Sequence, residues 1–234
     1  MKGFRHQPAE KKQETNWTKI GIVVICVLMA VFMVVSMFGM TWLNIFTQAK
    51  PGNSATVDFT FRDAQNRPII SSVNSALQET EGKDLLVFKA ASLPVKVNVT
   101  TDEDMIPIQA VNPYYESRTI EYLMFGPELN LISKSLEGMG VGDSKVINNP
   151  YAEEMSREMT MEQFINISGE DYANISVGDQ VPLAFVDRPE INLDNTTSSS
   201  YIRTAVVTKK DEGNITLNYG YPVIDISVSK LTTG

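Results

Sequence analysis

The chain has 234 residues, a formal charge of −8, one cysteine and one histidine, too few of either for a disulfide framework or a Cys/His metal cluster. The charge is uneven: residues 1–19 set Lys2, Arg5, Lys11, Lys12 and Lys19 against Glu10 and Glu14 for a net +3, residues 20–49 carry none, and the remainder carries −11. That acidic remainder argues against nucleic-acid binding, which needs a basic face to replace phosphate counterions.

The chain opens with a basic tail (1–19) that holds His6. Ile20–Leu43 follows, uncharged and mainly apolar, with Trp17 and Trp42 at its ends. The run exceeds the ~20 residues a helix needs to cross a bilayer. A cleaved signal peptide would have a hydrophobic core of ~7–15 residues and a small-residue cleavage site, and Thr47-Gln48-Ala49 is a weak one. The segment 20–43 therefore reads as a transmembrane anchor with Cys26 as a small apolar residue in it. The preceding basic residues put the N-terminus in the cytoplasm and the rest of the chain outside. Five N-x-[ST] sequons, at Asn98, Asn166, Asn174, Asn195 and Asn214, lie beyond the span and permit glycosylation there.

Residues 44–55 read as a linker punctuated by Pro51-Gly52. Thr56–Arg62 alternates apolar and polar residues as a strand does, the stretch 63–68 is a turn, and Ile69–Ser72 leaves it. Asp84–Ala90 is a second apolar run, Pro94–Thr100 alternates with Val95, Val97 and Val99 on one face, and Thr119–Phe125 is a further strand. Leu129, Ile132 and Leu136 recur at helical spacing, Gly138 and Gly140 stop the helix, and Val141-Gly142-Asp143 turns the chain into Lys145–Ile147. Glu153–Glu162 suits a short helix. Tyr201–Thr208 and Asn214–Asn218 read as a hairpin, and Val223–Leu231 as a closing strand. This order predicts an α+β fold with an antiparallel sheet packed over one short helix.

The run Leu129–Ile147, LNLISKSLEGMGVGDSKVI, resembles the helix-to-strand signature of FKBP-type prolyl isomerases, especially their SlyD-like branch. Other parts follow in the family's order. These are the opening strand–turn–strand, Met161-Glu162-Gln163-Phe164 and Ile175–Gln180 in place of elements of the SlyD-like insert, and Asn218–Pro222 in place of a return loop. The resemblance implies an FKBP-like domain whose first part spans 56–152, an inserted β-rich flap domain at 153–215, and a closing strand at 216–234. Residues 73–118 are longer than the family's crossing and read as an insertion that adds strands.

The resemblance also implies a function: a membrane-anchored, extracytoplasmic peptidyl-prolyl cis-trans isomerase that assists the folding of exported proteins. Its partners are proline-containing unfolded polypeptides. Rotation about an X-Pro bond needs no nucleophile, metal or cofactor, because a dry apolar pocket favours the twisted amide over the planar one. The implied catalytic residues are Phe59, Ile132 and Tyr151. The implied substrate-binding residues are Ile69, Ile70, Tyr122, Leu129 and Ile226. The family's Phe-Asp pair is Ile69-Ile70 here, which predicts weak catalysis.

Other readings rest on less. Thr101-Asp102-Glu103-Asp104 lacks the spacing of a calcium loop and reads as a solvated turn. No spacing singles out a carboxylate pair for glycoside hydrolysis. The serious rivals are a tethered holdase, to which Met155, Met159 and Met161 would lend an adaptable surface, and a structural surface module.

Overall fold

A computed structural model of the chain describes residues 17–38, 47–83, 85–112, 115–186 and 200–232. The calls on His6, Trp42 and Asn195 lie outside these residues. Two compact units divide the chain, Met1–Leu43 and Asn44–Gly234.

In the first unit α1 (Trp17–Phe38) has no charged residue after Lys19. Its stretch Trp17–Ser36 has a mean hydropathy of 2.7, and none of its residues is buried within the protein. It meets the length and polarity of a membrane span and equally of a signal sequence near the N-terminus.

The second unit is α+β. Its strands are β1 (Ser54–Arg62), β2 (Pro68–Ser71), β3 (Phe88–Ala90), β4 (Leu93–Lys96), β5 (Met105–Asn112), β6 (Tyr115–Phe125), β7 (Ser144–Asn148), β8 (Ser156–Thr160), β9 (Gln180–Val186), β10 (Ser200–Lys210), β11 (Asn214–Asn218) and β12 (Val223–Thr232). Its helices are α2 (Asn74–Gln78), α3 (Gly126–Ser135) and α4 (Met161–Ser168). The strands form one curled sheet in the order β7-β12-β1-β2-β3-β5-β6-β10-β11-β8, with β4 on β1 and β9 on β10. Pairing is antiparallel except for β2 with β3 and β6 with β10. The expected single helix is thus three helices among the described residues, and the sheet is mixed.

Local chemistry explains the elements that position the site. In β1, Val57, Phe59 and Phe61 are buried while Asp58 and Arg62 face outward, the period-2 alternation of a half-buried strand. The β1–β2 turn closes on Asp63, whose carboxylate accepts from the backbone N–H of Gln65 and Arg67 and from Arg67 Nε. In α3 the Glu128 carboxylate accepts the Phe125 N–H at the helix start. The helix ends at Ser135, ahead of left-handed Gly138 (φ +82°), and the turn Val141-Gly142-Asp143 leads into β7 through left-handed Gly142 (φ +92°). The stretch expected to be a helix at 153–162 contains strand β8 instead, and the helix begins at Met161, where Thr160 and Gln163 cap each other reciprocally.

The apolar side chains sort into two clusters. The larger runs from Ala49 to Ile147 and resumes at Tyr221–Val228, with α3 packed on β4, β6 and β7. The buried members of the smaller lie within residues 159–217, including Met159, Phe164, Tyr172, Val181, Ile215 and Leu217, and Tyr219 packs against them. The stretch read as a linker is held on the domain: Ala49 is buried, donates its N–H to Met139 O and accepts from Gly138 N.

Candidate functional site

Six of the residues implied by the resemblance lie in the larger cluster, on five elements: Phe59 on β1, Ile69 and Ile70 on β2, Tyr122 on β6, Ile132 on α3 and Ile226 on β12, all buried. Leu129 is half-buried against the same cluster. Tyr151 stands apart, 44% exposed in the turn after β7. The structure brings the six together but closes them in. Segment 73–118 supplies Leu86, Phe88, Ala90, Val95, Val97, Ile108 and Ala110 to the cluster, and the Phe88 ring lies 5.2 Å from that of Tyr122. Phe59 and Ile132 therefore share no open groove with Tyr151 in this conformation.

Tyr151 instead lines an open cleft of about 280 Å³ with Asn98, Val99, Thr100, Pro127, Asn130, Leu131, Ser133 and Lys134. One side of the cleft is the segment 96–101, which turns at Val97-Asn98 and is tied to α3 by two helix side chains. Ser133 Oγ donates toward Lys96 O (2.6 Å) and Val99 O (2.8 Å) and accepts from Val99 N (2.9 Å). Asn130 accepts from Thr101 N (2.8 Å) and donates to Thr101 O (3.1 Å). These side chains satisfy a backbone that has left the sheet. What the cleft offers a ligand is the apolar surface of Val99, Pro127, Leu131 and Tyr151.

A polar cluster sits where the two apolar clusters meet, and sequence reasoning missed it. Arg203 on β10 is fully buried. Its guanidinium donates to Glu128 through Nη2–Oε1 (2.6 Å) and Nη1–Oε2 (2.9 Å), to Leu123 O through Nη1 (2.9 Å) and to Tyr219 O through Nε (2.7 Å). It lies 4.0 Å from the Tyr221 ring centroid and 4.6 Å from that of Phe125. Burial alone would lower the pKa of Arg203, but the Glu128 charge and hydrogen bonds outweigh it and hold the group above arginine's ordinary value. Beside it the hydroxyls of Tyr122 and Tyr221 meet in a short hydrogen bond. Tyr221 donates to Thr204 O (2.7 Å), so Tyr122 is the donor to Tyr221, and Tyr122 also accepts from Thr204 N (3.1 Å). The available signal was one arginine inside the apolar strand run Tyr201–Val207.

Among the described residues no group of three or more His, Cys, Asp or Glu side chains is placed to hold a metal ion. The sequon residues Asn98, Asn166, Asn174 and Asn214 are exposed. No protein-family model matches the chain, and no curated protein matches it.

Proposed function

We propose that this chain is a membrane-tethered, extracytoplasmic folding factor of FKBP-like build that holds polypeptide chains and isomerises prolyl bonds only weakly. The observation that carries this reading is the separation of Tyr151 from the rest of the implied pocket. Phe59, Tyr122 and Ile132 are shut in the core, while Tyr151 and Val99 face solvent in an open cleft of mixed apolar and polar lining. Apolar clefts with a few placed polar groups are the usual form of a binding site. An isomerase needs its apolar pocket open to the reacting amide, whereas a holding surface does not.

Three further observations support the build and the place. Helix α3, left-handed Gly138 and β7 follow one another as the FKBP resemblance requires. Residues 159–217 form a core of their own between β7 and β12, where a flap would be inserted. The basic tail before α1 supports an N-terminus in the cytoplasm.

The test uses the full chain in lipid nanodiscs. Added to a refolding client with a proline-limited phase, it is expected to suppress aggregation and leave that phase nearly unchanged, and Tyr151→Ala is expected to weaken the suppression. Marked acceleration of the proline phase would make the protein an isomerase. No effect on either would make it a structural module.

A further inference from the structure

We propose that Asn98 is an N-glycosylation site and that its glycan lies over the Tyr151 cleft, where it shields the apolar surface from polypeptide clients. The modification rests on the extracytoplasmic placement proposed above. The position of the glycan rests on geometry.

The described sequons differ in how much of each a glycosyltransferase can reach. Asn98, Val99 and Thr100 are all exposed, and all three lie outside helix and strand. The sequon at Asn166 sits on α4, where the Ser168 hydroxyl donates to Phe164 O (2.8 Å) and accepts from Glu170 N (3.1 Å). Asn174 ends a short 3-10 turn and is followed by half-buried Ile175. Asn214 is paired with Thr160 on β11, and the next residue, Ile215, is buried. Asn98 itself stands in the left-handed region (φ +52°), which asparagine tolerates better than most residues. That conformation accounts for Asn98 alone. Glycine or aspartate would serve it as well, and nothing in it asks for Thr100, whose hydroxyl enters no hydrogen bond among the described residues. An acceptor sequon on a surface loop accounts for both residues.

In the transfer, Asn98 Nδ2 bonds to the anomeric carbon of a lipid-phosphate-linked oligosaccharide. The bond from that carbon to the phosphate oxygen breaks, the phosphate leaves with the electron pair, and one amide proton passes to a base of the transferase. The substituted amide keeps one N–H, which is what its contact with Glu137 Oε2 (2.9 Å) uses. The sugars then start at the rim of the cleft of about 280 Å³ that Asn98 and Tyr151 both line. The partly exposed Tyr151 ring offers an apolar face to the C–H side of a sugar ring. The Lys134 ammonium and the Tyr151 hydroxyl have no partner among the described residues, and they are the donors left for sugar hydroxyls. Each such contact is weak. The covalent link makes them intramolecular, with an effective concentration on the order of millimolar, and a free polypeptide has to displace that tethered competitor.

The experiment isolates the full chain from the membranes of the cells that make it and maps each sequon peptide by mass spectrometry. Asn98 is expected to carry a glycan at higher occupancy than Asn166, Asn174 or Asn214. In the same cells Thr100→Ser is expected to keep it and Thr100→Val to lose it, both chains remaining folded. Nitration of Tyr151 by tetranitromethane reads the cover directly. It is expected to run about threefold faster in the wild-type chain made without a glycosyltransferase than in the glycosylated one, as for a cleft free in about a third of the glycosylated molecules. Suppression of client aggregation is expected to need about threefold less of the unglycosylated chain. An unmodified Asn98 overturns the site, and labelling of the lysines by a membrane-impermeant reagent in intact cells then shows whether the extracytoplasmic placement fails with it. A glycan on Asn98 with equal nitration of Tyr151 in the two forms overturns the cover. Slower nitration under the glycan, with no suppression of aggregation by either form, supports the cover and removes only the holding function.

Discussion

Arg203 and Glu128 meet through two parallel hydrogen bonds, of 2.6 Å and 2.9 Å, with neither side chain exposed to solvent. Burying both charges is costly, and the pair persists because each member compensates the other and two further N–H groups of Arg203 donate to backbone carbonyls. Removing one charge is therefore worse than removing both. Glu128→Gln keeps the shape and the acceptor for Phe125 N–H but leaves the guanidinium uncompensated. It is expected to lower stability by about 3–5 kcal/mol. The double variant Arg203→Met, Glu128→Leu is expected to lie within about 1 kcal/mol of wild type or above it. Urea unfolding of the wild type, the Glu128→Gln variant and the double variant measures both values. A double variant less stable than Glu128→Gln would sink the account.

The two chain segments that leave and re-enter the larger cluster cross at Ala152 and Gly220. A Cβ built on Gly220 would lie 2.1 Å from Ala152 O, a backbone atom with nowhere to go, and the φ of Gly220 is ordinary. Gly138 is the opposite case, with φ at +82° and open space around it. Gly220→Ala is thus an overpacking change, expected to cost about 3 kcal/mol. Gly138→Ala is a conformational one, expected to cost about 1 kcal/mol. Comparing the two thermal midpoints checks the order. Equal midpoints would mean that the Ala152–Gly220 crossing opens easily.

Why some of this was legible in the sequence and some was not follows from how far each signal reaches. Strand β1 announces itself through Val57, Phe59 and Phe61, and α3 through Leu129, Ile132, Leu136 and Gly138, because period and punctuation are local. Strand β5 was hidden by Pro107 and by a neighbouring acidic turn, and β8 by polar residues that suit a helix equally well. Closure of the implied pocket was illegible because the side chains that close it, Phe88, Ile108 and Ala110, come from a segment whose packing partners are set by tertiary contact. The Arg203–Glu128 pair spans 75 residues, and no periodicity links its members.

Tyr122 and Tyr221 make a prediction in alkali. Burial raises the pKa of Tyr122 above the ordinary value of 10, against the pull of Arg203. Burial, and then the neighbouring Tyr122, raise that of Tyr221 well above it. A raised folded pKa means that the unfolded chain releases its protons first as pH climbs. Their contribution to stability is therefore complete below pH 10 and is lost as pH rises from there toward the folded values. Tyrosinate absorbance is expected to show these two rings ionising only together with unfolding. Ionisation of all the tyrosines before any loss of circular dichroism would contradict the burial of the pair.

Thr204 isolates a single hydroxyl. The residue is fully buried, its N–H donates to Tyr122 and its C=O accepts from Tyr221, but its Oγ1 has no partner among the described residues. An unmet buried hydroxyl carries a desolvation penalty of about 1–3 kcal/mol. Valine has nearly the same shape without that group. Thr204→Val is expected to raise stability by about 1 kcal/mol, read as a higher urea midpoint at an unchanged slope. Thr204→Ser keeps the hydroxyl and loses a buried methyl, and is expected to lower it by about 1 kcal/mol. The pair of variants separates packing from polarity at one position. Were valine to destabilise the protein while serine did not, the hydroxyl would have a partner after all. A buried water in the Tyr122–Tyr221 network would then be the natural one, since such waters bond to otherwise unmet polar groups.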